Sequence, residues 1–248
     1  MGQERKINIL GIDFSDVSSK DLEKILEETI NLNKKIKVCD VNTQILYLYH
    51  TDPNYKNYIK ACDYILPDGM SIIVSSKIFR KPLKERLAGI DVMEKIVEIS
   101  YRKDYKIYLL GAKEEVVKKA AEILNKKFEK NVVVGYRDGY FEKADYDLVI
   151  DDINQKKSNI LFVGISYPKR EDFISYAFDK LNVNFVMGVG GSFEVLAGVK
   201  KRAPKWAQKI GMEWFYRMIQ DPKGKFKRYL ISHSYYVYLN LKYLFKKD

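Results

Sequence analysis

The sequence predicts an α/β fold: a mostly parallel sheet with helices on both faces, followed by a basic helical C-terminal appendage. Three observations predict it. Short β-branched apolar runs alternate with helical patterns of about 10–15 residues, as in sheets built from strand–helix–strand units. Several of those runs end on glycine just before a helix, the position that faces the ligand crevice of an open sheet. The third is the placement of charge: residues 200–248 hold 13 Lys or Arg and three acids, net +10, whereas the preceding 199 residues hold 31 bases and 30 acids. The expected division is a Rossmann-like body over residues 1–197 and a basic, aromatic appendage over residues 198–248.

In chain order, Lys6–Ile12 reads as the first strand. Ser18-Ser19 offers an N-cap to a helix carrying Leu22, Ile25, Leu26, Thr29 and Ile30 at helical spacing. Lys37–Val41 is alternating and β-branched, a strand running into Asn42-Thr43, and two short helical pieces follow near Gln44–Tyr49 and Asn54–Ala61. The apolar run after Asp63 ends in Pro67-Asp68-Gly69, which stops a strand and turns the chain into the helical Met70–Phe79. Asp68 is therefore the carboxylate placed nearest a ligand crevice, the other reading being a turn aspartate that bonds its own backbone. Lys81–Gly89 is a polar, basic loop containing Arg86, and Asp91 is placed to cap a helix through Ile99.

Lys106–Leu110 is a strand ending at Gly111-Ala112, and Glu114–Phe128 is an amphipathic helix. Asn131–Val134 is the next strand, followed by a loop from Gly135-Tyr136 to Tyr140-Phe141. A helix near Tyr146–Lys156, a strand Asn159–Val163 ending at Gly164, a helix opened by Pro168 and a last strand Asn184–Met187 complete the body. Gly111, Gly164 and Gly188–Gly191 all precede helices, where free N–H groups and a glycine together let a phosphate approach; a purely steric need for glycine is the alternative.

Composition narrows the chemistry. With 46% hydrophobic and 31% charged residues the chain reads as globular, and no run of 18 apolar residues suits a membrane span. Met1–Lys6 is polar and the apolar run behind it short, so no signal peptide is expected. Cys39 and Cys62 lie in apolar runs, as reduced buried thiols do. A dinucleotide fingerprint and a P-loop are both missing, which speaks against hydride transfer and ATP hydrolysis. His50 and His233 are the only histidines, no cysteine pair has ligand spacing, and Asp145-Tyr146-Asp147 and Asp151-Asp152 read as solvated capping clusters. No metal and no cofactor are expected. The basic tail points to a polyanion: nucleic acid, an anionic membrane face or a phosphorylated substrate.

Read together, Asn42, Pro67-Asp68-Gly69, Arg86 with Gly89-Ile90-Asp91, Leu109-Leu110-Gly111, Gly139-Tyr140-Phe141 and Pro168-Lys169 with Glu171 form an ordered set of motifs. Gly188–Phe193, Lys201-Arg202-Ala203-Pro204 with Trp206, and Gly211–Arg217 extend it through the tail. In order and spacing they resemble the WecG/TagA/CpsF family of bacterial glycosyltransferases over nearly the whole chain.

The resemblance implies an inverting, metal-independent transfer of a hexose or N-acetylhexosamine, of the N-acetylmannosamine type or glucose. The sugar would pass from a UDP-sugar to a polyprenyl-diphosphate-linked sugar of the N-acetylglucosamine type, in wall teichoic acid or other cell-surface polysaccharide synthesis. It implies a peripheral protein of the cytoplasmic face of the plasma membrane, whose tail closes over the active site. Asp68 is then the candidate general base, since inversion needs one group to remove the acceptor proton. A free aspartate titrates near pH ~3.9 and is a weak base until partly desolvated.

Asp40, Asn42, Arg86 and Arg170 are the expected positioning residues. Gly111, Ala112, Tyr136, Gly164, Gly190, Gly191 and Glu194 are expected at UDP, and Arg217, Lys225, Lys227 and Arg228 at the diphosphate. Fixed donors of this kind are what a leaving diphosphate requires. The chain departs from the family where Asp40 replaces a hydroxyl residue, Arg170 a glutamine and Gly224 an arginine.

The partners expected are thus the UDP-sugar, the lipid-linked acceptor and an anionic membrane, with no nucleic acid; a homo-oligomer is compatible with the chain. The aromatics Trp206, Trp214, Phe215, Tyr216, Phe226, Tyr229, Tyr235, Tyr236 and Tyr238 interleave with the tail's charges, as suits the headgroup region. The rival reading is an α/β protein that grips RNA or DNA with the same tail.

Overall fold

The computed structural model describes residues 5–245; residues 1–4 and the last three of the basic tail, Lys246, Lys247 and Asp248, lie outside the described residues. The first half runs β1 (Lys6–Ile9), β2 (Ile12–Ser15), α1 (Asp21–Asn31), β3 (Ile36–Val41), α2 (Thr43–Thr51), α3 (Pro53–Lys60), β4 (Tyr64–Pro67), α4 (Met70–Ile78) and α5 (Gly89–Lys103). The second runs β5 (Ile107–Gly111), α6 (Glu114–Phe128), β6 (Val133–Arg137), α7 (Tyr146–Gln155), β7 (Ile160–Gly164), α8 (Lys169–Ala177) and β8 (Phe185–Gly188). It closes with α9 (Ser192–Leu196), α10 (Lys205–Lys209), α11 (Glu213–Gln220) and α12 (Pro222–Phe245). The main sheet has six strands in the order β4-β3-β8-β7-β5-β6, and the pairings β3–β8, β8–β7, β7–β5 and β5–β6 are all parallel. This is the α/β, Rossmann-like sheet that the alternation of strands and helices implies.

Two compact units divide the chain. The first comprises Met1–Ser18, Asp40–Ala88 and Arg202–Asp248; the second comprises Ser19–Cys39 and Gly89–Lys201. In the second unit, residues 107–110 of β5 and 160–163 of β7 are fully buried, as strands covered on both faces must be. In the first unit, β1 and β2 form an antiparallel hairpin. This corrects the expectation of a single strand over Lys6–Ile12. The run breaks at Leu10-Gly11, both at positive φ (51° and 83°), as a two-residue hairpin turn of the primed type requires. Two side chains of α2 hold the turn: Tyr49 OH donates to the Gly11 carbonyl (3.0 Å) and His50 Nε2 to that of Leu10 (2.8 Å).

Other boundaries shift for local reasons. Helix α1 starts at Asp21 with Lys20, not Ser18-Ser19, at its N-cap position, and Asp21 and Glu23 place carboxylates in its first turn. Asp91 sits inside the first turn of α5 and does not precede it. Strand β6 runs later than Asn131–Val134. The Asn125 side chain brackets Val133, accepting its N–H at 2.8 Å and donating to its carbonyl at 3.0 Å. Gly135 then passes where a Cβ would lie 2.7 Å from the Tyr108 ring. Asp152 is not a solvated cap: it accepts the hydroxyl of buried Tyr108, and burial together with this carboxylate pushes that hydroxyl's pKa far up.

Helix α12 packs against the first unit's own core. The Ser75 hydroxyl donates to Asn240 Oδ1 (2.7 Å) and lies 2.9 Å from the Tyr236 hydroxyl, which donates to the Ser71 carbonyl (2.9 Å). Tyr235 meets the Tyr47 ring edge-on. Among the described residues no helix is long and apolar enough to cross a membrane.

Candidate active site

The Pro-Asp-Gly turn of the first unit is set by the strand beside it. The Val41 carbonyl, at the end of β3, accepts the N–H groups of Asp68 (3.0 Å) and Gly69 (3.4 Å), which pins the turn next to Asn42. Asn42 Oδ1 caps α2 by accepting from the N–H groups of Gln44 (3.0 Å) and Ile45 (3.2 Å). Its Nδ2 donates to Asp68 Oδ2 over 3.1 Å. Asp68 therefore spends its carboxylate on a residue 26 positions away, not on its own turn as the alternative reading had it. Gly69 is the N-cap of α4, so the carboxylate lies beside the positive end of that helix. A Cβ at Gly69 would meet Ser71 Oγ at 2.9 Å and the Asn42 backbone at 3.4 Å, which accounts for the glycine.

Arg86 closes the other side. Its Nε donates to the Asp68 carbonyl (2.6 Å), and its Nη2 donates to Glu213 Oε2 (2.8 Å) while standing 3.9 Å from Asp68 Oδ1. Glu213 Oε1 accepts from Arg217 Nη2 at 2.6 Å, one helical turn along α11. Burial pushes the Glu213 carboxyl up, but Arg217 and Arg86 together outweigh it and hold the group below the ordinary carboxylate range. Burial acts against the Arg217 charge, and Glu213, Asp68 and Tyr229 more than offset it.

The side chains of Asp68, Arg86 and Glu213 are 18%, 19% and 10% exposed, against 48% for Arg217. Four charges thus share a largely enclosed site. Asp68 Oδ1 accepts no hydrogen bond among the described residues and is the free oxygen of the cluster.

Asp40 lies half-buried near the end of β3 in the same unit. Lys225 Nζ donates to the Arg217 carbonyl (3.4 Å) and pairs with Asp221 (3.5 Å). Lys227 and Arg228 point outward on α12, Arg228 over the Tyr229 ring. The tail's aromatics sort into two sets. Trp214 packs on Tyr229 and His233, and Tyr235 and Tyr236 face the core, whereas Trp206, Phe226 and Tyr238 are exposed.

In the second unit, Gly111 and Gly164 face each other across β5 and β7. A Cβ on Gly111 would lie 2.5 Å from the Gly164 carbonyl carbon, and one on Gly164 would lie 2.5 Å from the Phe193 ring. Both glycines thus have a packing reason. Ala112, at φ 58°, donates its N–H to the Gly164 carbonyl (3.0 Å) and accepts from Gly139 (2.9 Å). Gly190 differs: at φ +50° its nearest neighbour is Arg170 Nη1, 4.0 Å from where a Cβ would stand. Arg170 crosses beside Gly188 and pairs with the buried Glu171. Gly191 precedes α9; Glu194 accepts from Lys200 (3.0 Å), and Tyr136 stands exposed on the edge strand β6.

Sequence reasoning gave Glu213 no role. The signal was present: it is one of three acids among 13 bases in residues 200–248, and it stands four positions before Arg217.

A family model described as Glycosyl transferase WecG/TagA/CpsF family matches residues 7–248. The chain is similar to a Bacillus subtilis (strain 168) protein named N-acetylglucosaminyldiphosphoundecaprenol N-acetyl-beta-D-mannosaminyltransferase, with 32% identity over 198 residues, 80% of this chain and 76% of the relative. A Staphylococcus aureus (strain MW2) protein of the same name is 32% identical over 221 residues, 88% of this chain and 86% of the relative.

Proposed function

Because the chain belongs to the WecG/TagA/CpsF family of glycosyl transferases, we propose that it moves an N-acetylmannosamine-type sugar or a related hexose from a UDP-sugar to a polyprenyl-diphosphate-linked N-acetylglucosamine. The chain is a glycosyltransferase; the substrates are those its relatives' names suggest, with UDP as the donor's carrier. The observation that carries the mechanism is the Asp68 carboxylate, with Oδ2 fixed by Asn42 and Oδ1 open beside two guanidinium groups.

Asp68 accepts the proton of the acceptor hydroxyl as its oxygen attacks the anomeric carbon of the donor. The bond from that carbon to the β-phosphate oxygen breaks, and UDP leaves with the electron pair. One displacement inverts the anomeric centre. Arg217, the most exposed charge of the cluster, suits an acceptor or donor phosphate better than Arg86, which Glu213 and the Asp68 carbonyl already engage. In the second unit, the open Gly190 turn with Arg170 beside it suits a diphosphate better than Gly111 or Gly164, whose lack of a side chain serves strand packing.

The lipid-linked acceptor calls for contact with a membrane. The exposed face of α11 and α12 supports it: Phe215, Ile219, Phe226, Leu230, Leu241 and Leu244 are exposed among Lys227, Arg228 and Lys242. Such a face lies along an interface and does not span it. We assign the protein to the cytoplasmic membrane surface on this ground. Binding of the full chain to anionic vesicles, weakening with salt and exceeding its binding to RNA, checks that assignment and separates it from the nucleic-acid reading.

The central test is Asp68→Asn. UDP release from UDP-N-acetylmannosamine, dependent on a polyprenyl-diphosphate N-acetylglucosamine acceptor, is expected to fall roughly 100- to 10,000-fold, the range of a lost general base. The variant is expected to remain folded, with a cooperative melting transition. Normal turnover by the variant removes Asp68 from the role of base.

A further inference from the structure

Glu213 is the one buried acid of α11, and it binds two arginines from different segments, Arg86 at 2.8 Å and Arg217 at 2.6 Å. Its placement bears on Asp68. Arg86 Nη2 has two carboxylates within reach: it bonds Glu213 Oε2 and stops 3.9 Å short of Asp68 Oδ1. An unrestrained guanidinium closes on a neighbouring carboxylate to a bond of about 2.7–2.9 Å. Here the Arg86 Nε bond to the Asp68 carbonyl fixes the root of the group, and Glu213 takes its free end.

We propose that Glu213 is a positioning residue for glycosyl transfer, holding the Arg86 guanidinium off the Asp68 carboxylate so that Oδ1 stays open to the acceptor hydroxyl. The inference rests on Asp68 being the base. A direct ion pair with Arg86 would occupy Oδ1 and weaken the carboxylate as a proton acceptor, since an adjacent opposite charge favours the ionised form. Among the described residues the other charged or titratable groups facing this pair are Arg217 on α11 and Tyr229 on α12; Asn42 at the head of α2 is neutral and donates to Oδ2. None of them competes with Glu213 for Arg86.

The test is Glu213→Gln in the full chain, assayed by UDP release from UDP-N-acetylmannosamine with the polyprenyl-diphosphate N-acetylglucosamine acceptor across pH. The amide keeps the shape but loses the charge that holds Arg86. The expected results are a kcat lowered about ten- to a hundredfold and an acidic limb of kcat/KM moved down by about one pH unit. Arg217 stays beside Asp68 in every variant, so the control is the same change made in Arg86→Ala: there Glu213→Gln is expected to move the limb less than it does with Arg86 present.

The side-chain carboxylate of residue 68 is also followed without turnover by carbon NMR titration, with Asp68→Asn identifying its resonance; it is expected to titrate lower in Glu213→Gln. A Glu213→Gln protein that only melts earlier, with limb and resonance unmoved or moved equally with and without Arg86, overturns the proposal. Turnover by Asp68→Asn overturns instead the reading beneath it, and the difference in resonance shift between the wild-type and Arg86→Ala backgrounds still reports whether Glu213 restrains Arg86.

Discussion

Asn42 offers the sharpest test of the site, because its side chain does two separable things. It caps α2 through Oδ1 and donates to Asp68 through Nδ2 at 3.1 Å. Asn42→Asp keeps the cap, since aspartate caps as well as asparagine, but replaces the donor by a second carboxylate. At the 3.1 Å separation two unit charges repel by about 5 kcal/mol at an effective dielectric near 20. Arg86, 3.9 Å from the other oxygen, absorbs part of this, as does solvent at an 18% exposed side chain. The remainder is expected to move the acidic limb of kcat/KM upward by about one to two pH units, since a like charge disfavours ionisation. Asn42→Ala removes the donor without adding charge, so its limb moves up less, while the lost cap lowers stability by about 1 kcal/mol. The assay is acceptor-dependent UDP release from pH ~3.5 to ~8, with a denaturation curve for each variant at each pH. A limb that stays put in Asn42→Asp, or moves down, refutes the claim that Asp68 is the titrating base, whatever happens to stability.

Three further outcomes are expected. Gly111→Ala sets a Cβ 2.5 Å from the Gly164 backbone at a φ of +125°, and is expected to cost roughly 3 kcal/mol in chemical denaturation; a neutral result would mean that the strand ends are loosely packed. Asn240→Leu removes the shorter of the two bonds open to the buried Ser75 hydroxyl and leaves the Tyr236 hydroxyl as its acceptor, for about 1 kcal/mol, and hydrogen exchange along α12 is expected to rise without change elsewhere. Burial holds the His50 and His233 pKa values below the usual 6.5, so the unfolded chain binds more protons just under that pH, and stability falls as pH drops below about 6.5. Glu213, depressed by its arginines despite its burial, adds a second loss as pH falls below about 4.5. Melting curves from pH 8 to 4 check both, with a His50→Gln/His233→Gln protein expected to lose the first stage and Glu213→Gln the second.

What was legible in the sequence follows from the range of the forces involved. Glu114–Phe128 was readable to the residue because an amphipathic helix repeats its signal over four turns. The hairpin of β1 and β2 was not, because Leu10 carries no turn signature and its positive φ is held by Tyr49 and His50, some forty positions on. Asp68 was visible from its place after a strand and before a helix, a local pattern. Glu213 was not, because its meaning comes from Arg86, 127 positions away, and a lone acid in a basic run looks like surface until the fold buries it.

The same distinction separates the glycines. Gly111, Gly164 and Gly190 are alike as letters, yet a missing Cβ at the first two is required by a backbone or a ring 2.5 Å away, while at Gly190 it leaves open space beside a guanidinium. Only the tertiary neighbours tell a packing glycine from one a ligand can use. Of the second unit's three strand-end glycines, Gly190 is for that reason the one open to a phosphate, although all three positions answer equally well to the rule that glycine at a strand end admits phosphate.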